Sequence, residues 1–348
     1  MSKNKKIFVG LSGGVDSSVA AAILQAQGYD VTGVYMKNWS ADIAGVPCPW
    51  REDLASARSV AAHLKIPFKI YDFEDDYKHA VVDYMVAAYK SGLTPNPDVM
   101  CNQEIKFKVF SNRCIDDGAD TVATGHYARL ESGQLEMAKD KAKDQTYFLY
   151  RMDQAVAQKT LFPIGRYTKL QVRELAREYK LPTAGRKDSQ GLCFVGKVPL
   201  RDFLSQYIKP EVGDIIDENG NVIGRHDGAF YYTIGQRHGL GVGGGQPYFV
   251  YDKDIKQNIV YVTTDLDSKR LNHDNFEIVD CVWWHQPRDE VEYKVRIRHG
   301  GALLPAKLAH LSGSKYEIKL EKSERAIAAG QSAVLYDGET VLGGGVIV

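Results

Sequence analysis

Apolar residues in the first third of the chain fall into short β-rich runs separated by stretches of helical periodicity. KIFVGL, DVTGVYM, PFKIYDF and DTVATGHYA read as strands, and SSVAAAILQAQ, EDLASARSVAAHLK and DYKHAVVDYMVAAYKSG read as helices between them. Alternation of this kind predicts an α/β domain built on a parallel sheet covered on both faces. Further on, TKLQVRELAREYKLP opens with a capping box, Thr168 with Gln171, and stops before Pro182. The polar, glycine-bearing stretch GRKDSQGLCFVG follows, the alternation ceases, and a boundary is expected near residue 195.

The pattern then changes. RDFLSQYI reads as a short helix; turn signals in DENGN and a glycine-rich piece, HGLGVGGGQ, lie among short strands up to about residue 268, a small α+β unit. FEIVDCVWW, EYKVRIRH, LPAKLAHL, KYEIKLE, QSAVLYDG and VLGGGVIV are short strands separated by turns, which predicts a small β-barrel. The expected organisation is a catalytic α/β domain over 1–195, a central α+β domain over 196–268 and a barrel over 269–348. A chain of 348 residues is long enough for several such cores.

Charge adds little, since 44 basic side chains balance 44 acidic ones and a local patch can hide in a neutral total. No run of about 18 apolar residues is present to span a bilayer, and MSKNKKIFVGLSGG lacks a signal peptide's apolar core. A cytoplasmic protein without a membrane partner is expected. Five cysteines, Cys48, Cys101, Cys114, Cys193 and Cys281, are spread widely with no C-x-x-C pair and no zinc-finger spacing, so no metal site and no structural disulfide framework are predicted.

The segment GLSGGVDSS, residues 10–18, sits between the first strand and the first helix. Consecutive glycines let backbone N–H groups converge on an anion, and the helix N-terminus adds its positive end. Ser12, Ser17 and Ser18 supply hydroxyl donors. Asp16 repels a phosphate and is better explained as a partner through Mg²⁺, which makes a nucleoside triphosphate with metal the expected ligand. The segment matches neither G-x-x-x-x-G-K-[ST] nor G-x-G-x-x-G. It resembles the PP-loop of ATP pyrophosphatases, enzymes that cleave ATP between the α and β phosphates and adenylate a substrate.

Residues 96–107, NPDVMCNQEIKF, place a cysteine at the mouth of a predicted helix, three residues after Asp98. Unpaired N–H groups there lower a thiol's pKa and make Cys101 a candidate nucleophile; the alternative is a small buried apolar side chain. SGGVDSS, TPNPDVMCNQEIKF, ATGHYAR, KDQTYFLYR and DSQGLCFVG together resemble the tRNA-specific 2-thiouridylase family, in order and along the whole chain.

The resemblance implies sulfur transfer to C2 of the wobble uridine in tRNAs for Lys, Glu and Gln, with ATP and its Mg²⁺ activating the base and a persulfide donor, a cysteine desulfurase or sulfur-relay protein, as partner. Asn96, Pro97 and Asp98 would meet the target base; Cys101 would be the catalytic nucleophile, Cys193 the persulfide carrier and Asp98 an acid or base. Gly10, Leu11, Ser12, Gly13, Gly14, Val15, Asp16, Ser17, Met36 and Gly125 would bind ATP. His126, Lys143, Asp144, Gln145, Arg298, His299 and Gln331 fall at tRNA-contact positions. One departure is Arg298-His299-Gly300, where a more basic stretch is expected.

The residue types suit that chemistry. The C2 oxygen of uridine must become an adenylate before it can leave, a persulfide on Cys193 delivers sulfur, and Cys101 opens the S–S bond to leave a Cys101–Cys193 disulfide for an external reductant. Arg129, Lys139, Lys141, Lys143, Arg166, Lys169, Arg186 and Lys187 read either as a phosphate-binding surface or as a solvated face. Other readings remain: a PP-loop amide ligase, a thiolase with an iron-sulfur cluster on Cys101, Cys193 and a further ligand, and a non-catalytic nucleotide-binding module.

Overall fold

The computed structural model describes residues 5–43, 45–187, 198–243 and 245–348. The chain forms two compact units. The first comprises Met1–Val82, Pro97–Pro199 and Glu339–Val341; the second comprises Asp83–Asn96, Leu200–Gly338 and Leu342–Val348.

In the first unit, strands β1 (Lys6–Gly10), β2 (Asp30–Lys37), β3 (Phe68–Asp72) and β4 (Thr121–Ala123) appear where the periodicity places them. A hairpin, β5 (Ala128–Glu131) with β6 (Gln134–Met137), and a two-residue strand, β7 (Thr160–Leu161), complete the set. The sheet runs β3-β2-β1-β4-β7, every pair parallel. Ile7, Val9, Val31 and Tyr35 form its core with Val19, Ile23 and Leu24 of helix α1 (Val15–Ala26) and Val60 and Leu64 of helix α2 (Trp50–Leu64). The run DTVATGHYA does not continue as one strand. It leaves the sheet after Ala123 and passes the start of α1, where a Cβ on Gly125 would lie 2.6 Å from the Ser17 nitrogen.

The third predicted helix is wound unevenly: α3 (Glu74–Tyr77) passes through π-type turns at Lys78–Val82 into α4 (Asp83–Lys90), which belongs to the second unit. A second helical run starts at α5 (Pro97–Met100), continues with π-type winding through Cys101–Phe110, where the backbone kinks at Phe107, and ends in α6 (Ser111–Asp116). After the short α7 (Gln154–Ala157), helix α8 (Lys169–Glu178) carries the expected capping box, the Thr168 hydroxyl accepting from the Gln171 N–H and the Gln171 side chain accepting from the Thr168 N–H.

The second unit holds helix α9 (Leu200–Ser205) and a four-stranded sheet, β10-β11-β8-β9, from β8 (Gly213–Ile216), β9 (Val222–His226), β10 (Phe249–Asp254) and β11 (Ile259–Thr263), around Ile215, Val250, Val260 and Val262. Strands β12 (Asn272–Trp283), β13 (Glu292–Arg296), β14 (Leu304–Ser312), β15 (Lys315–Arg325), β16 (Ser332–Asp337) and β17 (Thr340–Ile347) form the barrel, which closes through antiparallel pairing of β12 with β17. The GGG of β17 has a steric reason: a Cβ on Gly344 would lie 2.2 Å from the Ala333 carbonyl oxygen, and one on Gly343 2.2 Å from that of Val282.

His126, in the turn after β4, is buried between the rings of Phe107 and Phe162. The Lys106 ammonium can only donate, so His126 Nε2, 3.4 Å away, accepts, and the proton sits on Nδ1, 2.7 Å from Thr124 Oγ1. Burial first, and the Lys106 charge second, hold the imidazole well below the ordinary histidine range. The unfolded chain therefore binds a proton near pH 6 that the folded chain refuses, and stability falls as pH drops below about 6.5. Urea unfolding of wild type should show that loss between pH 7.5 and 5.5, and His126→Gln should flatten it; an unchanged slope in the variant would place the titrating group elsewhere. Thr168→Ala should cost about 1 kcal/mol in the same assay by removing the cap of α8.

Candidate functional site

The loop between β1 and α1 is a nest of backbone donors closed by hydroxyls. Leu11 and Val15 turn into the core, so only their backbone faces the loop. Ser12 Oγ lies 3.2 Å from Ser17 Oγ, which also accepts from the Ser12 N–H, while Ser18 Oγ donates to the Gly14 carbonyl at 2.7 Å. Gly13 has φ +78°, and a Cβ there would sit 2.4 Å from the Asp53 carbonyl oxygen, so both conformation and space demand glycine. Its carbonyl accepts from Ser56 Oγ at 2.9 Å and from Arg186 Nη1 at 2.7 Å; the other arm of Arg186 pairs with Asp53. Burial raises the Asp53 carboxyl, against the pull of that guanidinium.

Asp16 does not stand open to the loop. Lys169 Nζ bridges both its carboxylate oxygens at 2.8 Å, and the Tyr127 hydroxyl donates to it at 2.9 Å. Met36 is buried at the head of the loop, where its Cε would lie 3.2 Å from a Cβ on Gly10. Two residues on, Asn38 is buried, and neither its amide nitrogen nor its oxygen has a hydrogen-bond partner among the described residues. A glycine-lined nest at the C-terminal edge of a parallel sheet, with an unsatisfied amide beyond the Met36 strand, fits a nucleotide.

The helix of Cys101 reaches the same region within the first unit. It begins at Pro97, so Cys101 follows its first turn instead of occupying its mouth, and the thiol is fully buried. Pro97 and Asp98, in that first turn, are half-buried. Lys106 meets His126, next to Gly125 at the Ser17 nitrogen, and Phe110 packs beside Gly10. Asn102 Nδ2 donates to the Phe148 carbonyl at 3.3 Å, and Arg151 Nε to Gln103 Oε1 at 2.6 Å.

Two of the expected tRNA contacts, His126 and Asp144, are buried and already engaged. Asp144 accepts from the Ala138 N–H and from Thr146 Oγ1, and Gln145 exchanges hydrogen bonds with the Tyr127 backbone. Lys143 is exposed. In the second unit, Arg298 and Gln331 line a cavity of about 540 Å³ with Thr233, Ile297 and Arg325, and His299 is exposed. Arg298 also pairs with Glu324 at 2.6 Å, while Gln331 Nε2 donates to the Thr94 carbonyl at 2.8 Å in the segment that ends at Asn96.

Cys193 lies outside the described residues. The other four cysteines are not disulfide-bonded to one another; burial pushes the Cys114 and Cys48 thiols up, which suits structural roles. The basic cluster is largely spoken for. Arg129 pairs with Glu131, Glu136 and Glu339, Lys141 with Glu339, Arg166 with Glu131, Lys169 with Asp16 and Arg186 with Asp53. Ser56 and Asn38 are site features that no motif in the sequence announces.

The comparisons agree with this architecture. A family model described as tRNA methyl transferase HUP domain matches residues 5–197, a tRNA methyl transferase PRC-barrel domain 201–264 and an aminomethyltransferase beta-barrel domain 273–347. A protein of Nitrosomonas europaea named tRNA-specific 2-thiouridylase MnmA is 43% identical over 99% of this chain and 98% of its own length. Proteins of the same name from Geobacillus thermodenitrificans, 44% identical over 98% of this chain and 94% of theirs, and from Francisella philomiragia, 42% identical over 99% and 100%, match as completely. With its parallel-sheet domain, closed six-stranded barrel and full-length identity to these proteins, the chain belongs to the tRNA-specific 2-thiouridylase family.

Proposed function

We propose that this protein is a tRNA-uridine 2-sulfurtransferase that converts ATP to AMP and pyrophosphate and replaces O2 of the wobble uridine, position 34 of tRNAs for Lys, Glu and Gln, with sulfur. One observation carries the reading: the glycine nest and the helix of Cys101 pack on the same short segment, 124–127, within one unit. A nucleotide site and a thiol built on one support suit a reaction that joins the two. Methyl transfer, which the family-model descriptions suggest, leaves the nest without a task; an amide ligase leaves the cysteines without one.

In this reading the nest holds the β and γ phosphates through the N–H groups of residues 13–17 and the hydroxyls of Ser12 and Ser17, with Met36 and Gly125 at the nucleoside. Asp16 would be the loop's oxygen donor to a Mg²⁺ arriving with the triphosphate, but only by giving up the Lys169 ammonium that bridges both its carboxylate oxygens; among the described residues no group of three or more His, Cys, Asp or Glu could hold a metal. Bound there, the ion would offset phosphate charge. The uridine, flipped from its loop, is met by Asn96, Pro97 and Asp98, with the Asp98 carboxyl placed to move a proton. O2 attacks the α phosphate and pyrophosphate leaves. A donor, a cysteine desulfurase or sulfur-relay protein, loads Cys193 as a persulfide; the Cys101 thiolate attacks the inner sulfur, and the Cys101–Cys193 bond forms. The terminal sulfur is left on C2 as AMP departs, and an external thiol reduces the disulfide.

The test is nucleoside analysis of tRNA incubated with protein, ATP, Mg²⁺ and a persulfide donor. Wild type should form 2-thiouridine with one AMP and one pyrophosphate per sulfur. Cys101→Ser and Cys193→Ser should form none, and Cys193→Ser should carry no transferable persulfide by mass spectrometry. Asp98→Asn should slow thiolation by about a hundredfold with the fold intact. Thiolation that survives either cysteine change sinks the scheme.

A further inference from the structure

We infer that Arg186 and Ser56 are positioning residues that lock the Gly13–Gly14 peptide with its N–H directed into the phosphate nest; this rests on the ATP reading above. A trans peptide carries its C=O and N–H on opposite sides. The Gly13 carbonyl is held outward by Ser56 Oγ at 2.9 Å and Arg186 Nη1 at 2.7 Å, so the Gly14 N–H faces the other way, towards Ser12 Oγ at 3.4 Å and the space between the loop hydroxyls. Glycine on both sides leaves the peptide without a Cβ to oppose a flip. A flipped peptide would aim a carbonyl oxygen at the phosphates and turn one of the nest's donors into a repulsive acceptor.

The supports are themselves fixed. Ser56 stands on α2, Asp53 one turn earlier holds the second arm of Arg186, and Arg173 of α8 donates to the Arg186 carbonyl at 2.5 Å. Two elements far apart in the chain therefore converge on one carbonyl. Neither donor needs to touch the nucleotide: Ser56 is neutral, and Arg186 gives one Nη1 hydrogen to Gly13 and directs its Nη2 arm to Asp53.

The experiment measures binding of inorganic pyrophosphate, ATP and AMP to the full chain by titration calorimetry, in wild type, Ser56→Ala, Arg186→Ala and the double variant. Either donor alone still holds the carbonyl, so each single change should weaken pyrophosphate and ATP binding by about threefold, and the double change by more than the product, about thirtyfold or beyond. AMP, which lacks the β and γ phosphates, should change by less than about twofold. The losses should be the same at low and high salt. Arg186→Ala losses that shrink with salt beside a silent Ser56→Ala would mean that the guanidinium acts on the anion by charge, and would overturn the inference, as would unaltered binding in the double variant. If Arg186→Ala does not fold, Arg186→Lys, a single point donor in place of a fork, replaces it. A wild type that binds neither pyrophosphate nor ATP overturns the nucleotide reading and this inference together; a wild type that binds both beside unaffected variants overturns the inference alone.

Discussion

The Asp16 carboxylate ties together three stretches of the first unit that the chain keeps far apart. It projects from the first turn of α1, takes the Tyr127 hydroxyl from the turn after β4, and takes the Lys169 ammonium from the start of α8. Both members of the ion pair keep some solvent contact, and such pairs contribute little to stability. Its importance is geometric. With Tyr127 fixed, the adjoining Gly125 is held against the Ser17 nitrogen and His126 against Lys106, so the phosphate nest and the helix of Cys101 share one reference point.

The second unit organises its own end of the chain in a comparable way. The loop before β16 grips the segment that leads to Asn96: the Thr94 N–H donates to the Ala329 carbonyl, and Gln331 donates to the Thr94 carbonyl. Gly330 cannot carry a side chain there, because a Cβ would lie 2.8 Å from the Thr94 nitrogen. Within this unit the segment therefore has its backbone clamped at Thr94, two residues before it ends at Asn96.

Much of this was readable where the cause is local. The alternation of period-2 and period-3.6 runs located β1 to β4, the six barrel strands and the capping box at Thr168, because each depends on residues a few positions apart. Strand β7, two residues long, carries no period to detect, and DTVATGHYA reads as a single strand until the close passage of Gly125 at α1 is known. The site divides along the same line. The loop 10–18 announces an anion through its own glycines and serines, whereas Arg186 reaches Gly13 across 173 positions, and no spacing rule connects them. The basic cluster stays open to two readings in the sequence for the same reason: its carboxylate partners, Glu131 and Glu339 among them, come together only in the fold.

Cys101 has no contact with solvent. Dissolved peroxide or a small alkylating agent meets that sulfur only during a transient local opening, so its reaction rate is the intrinsic rate of the thiol scaled down by the fraction of time the surrounding packing is parted. Seclusion of this kind makes the sulfur choosy, favouring a reaction partner whose own docking prolongs the opening over one that merely collides.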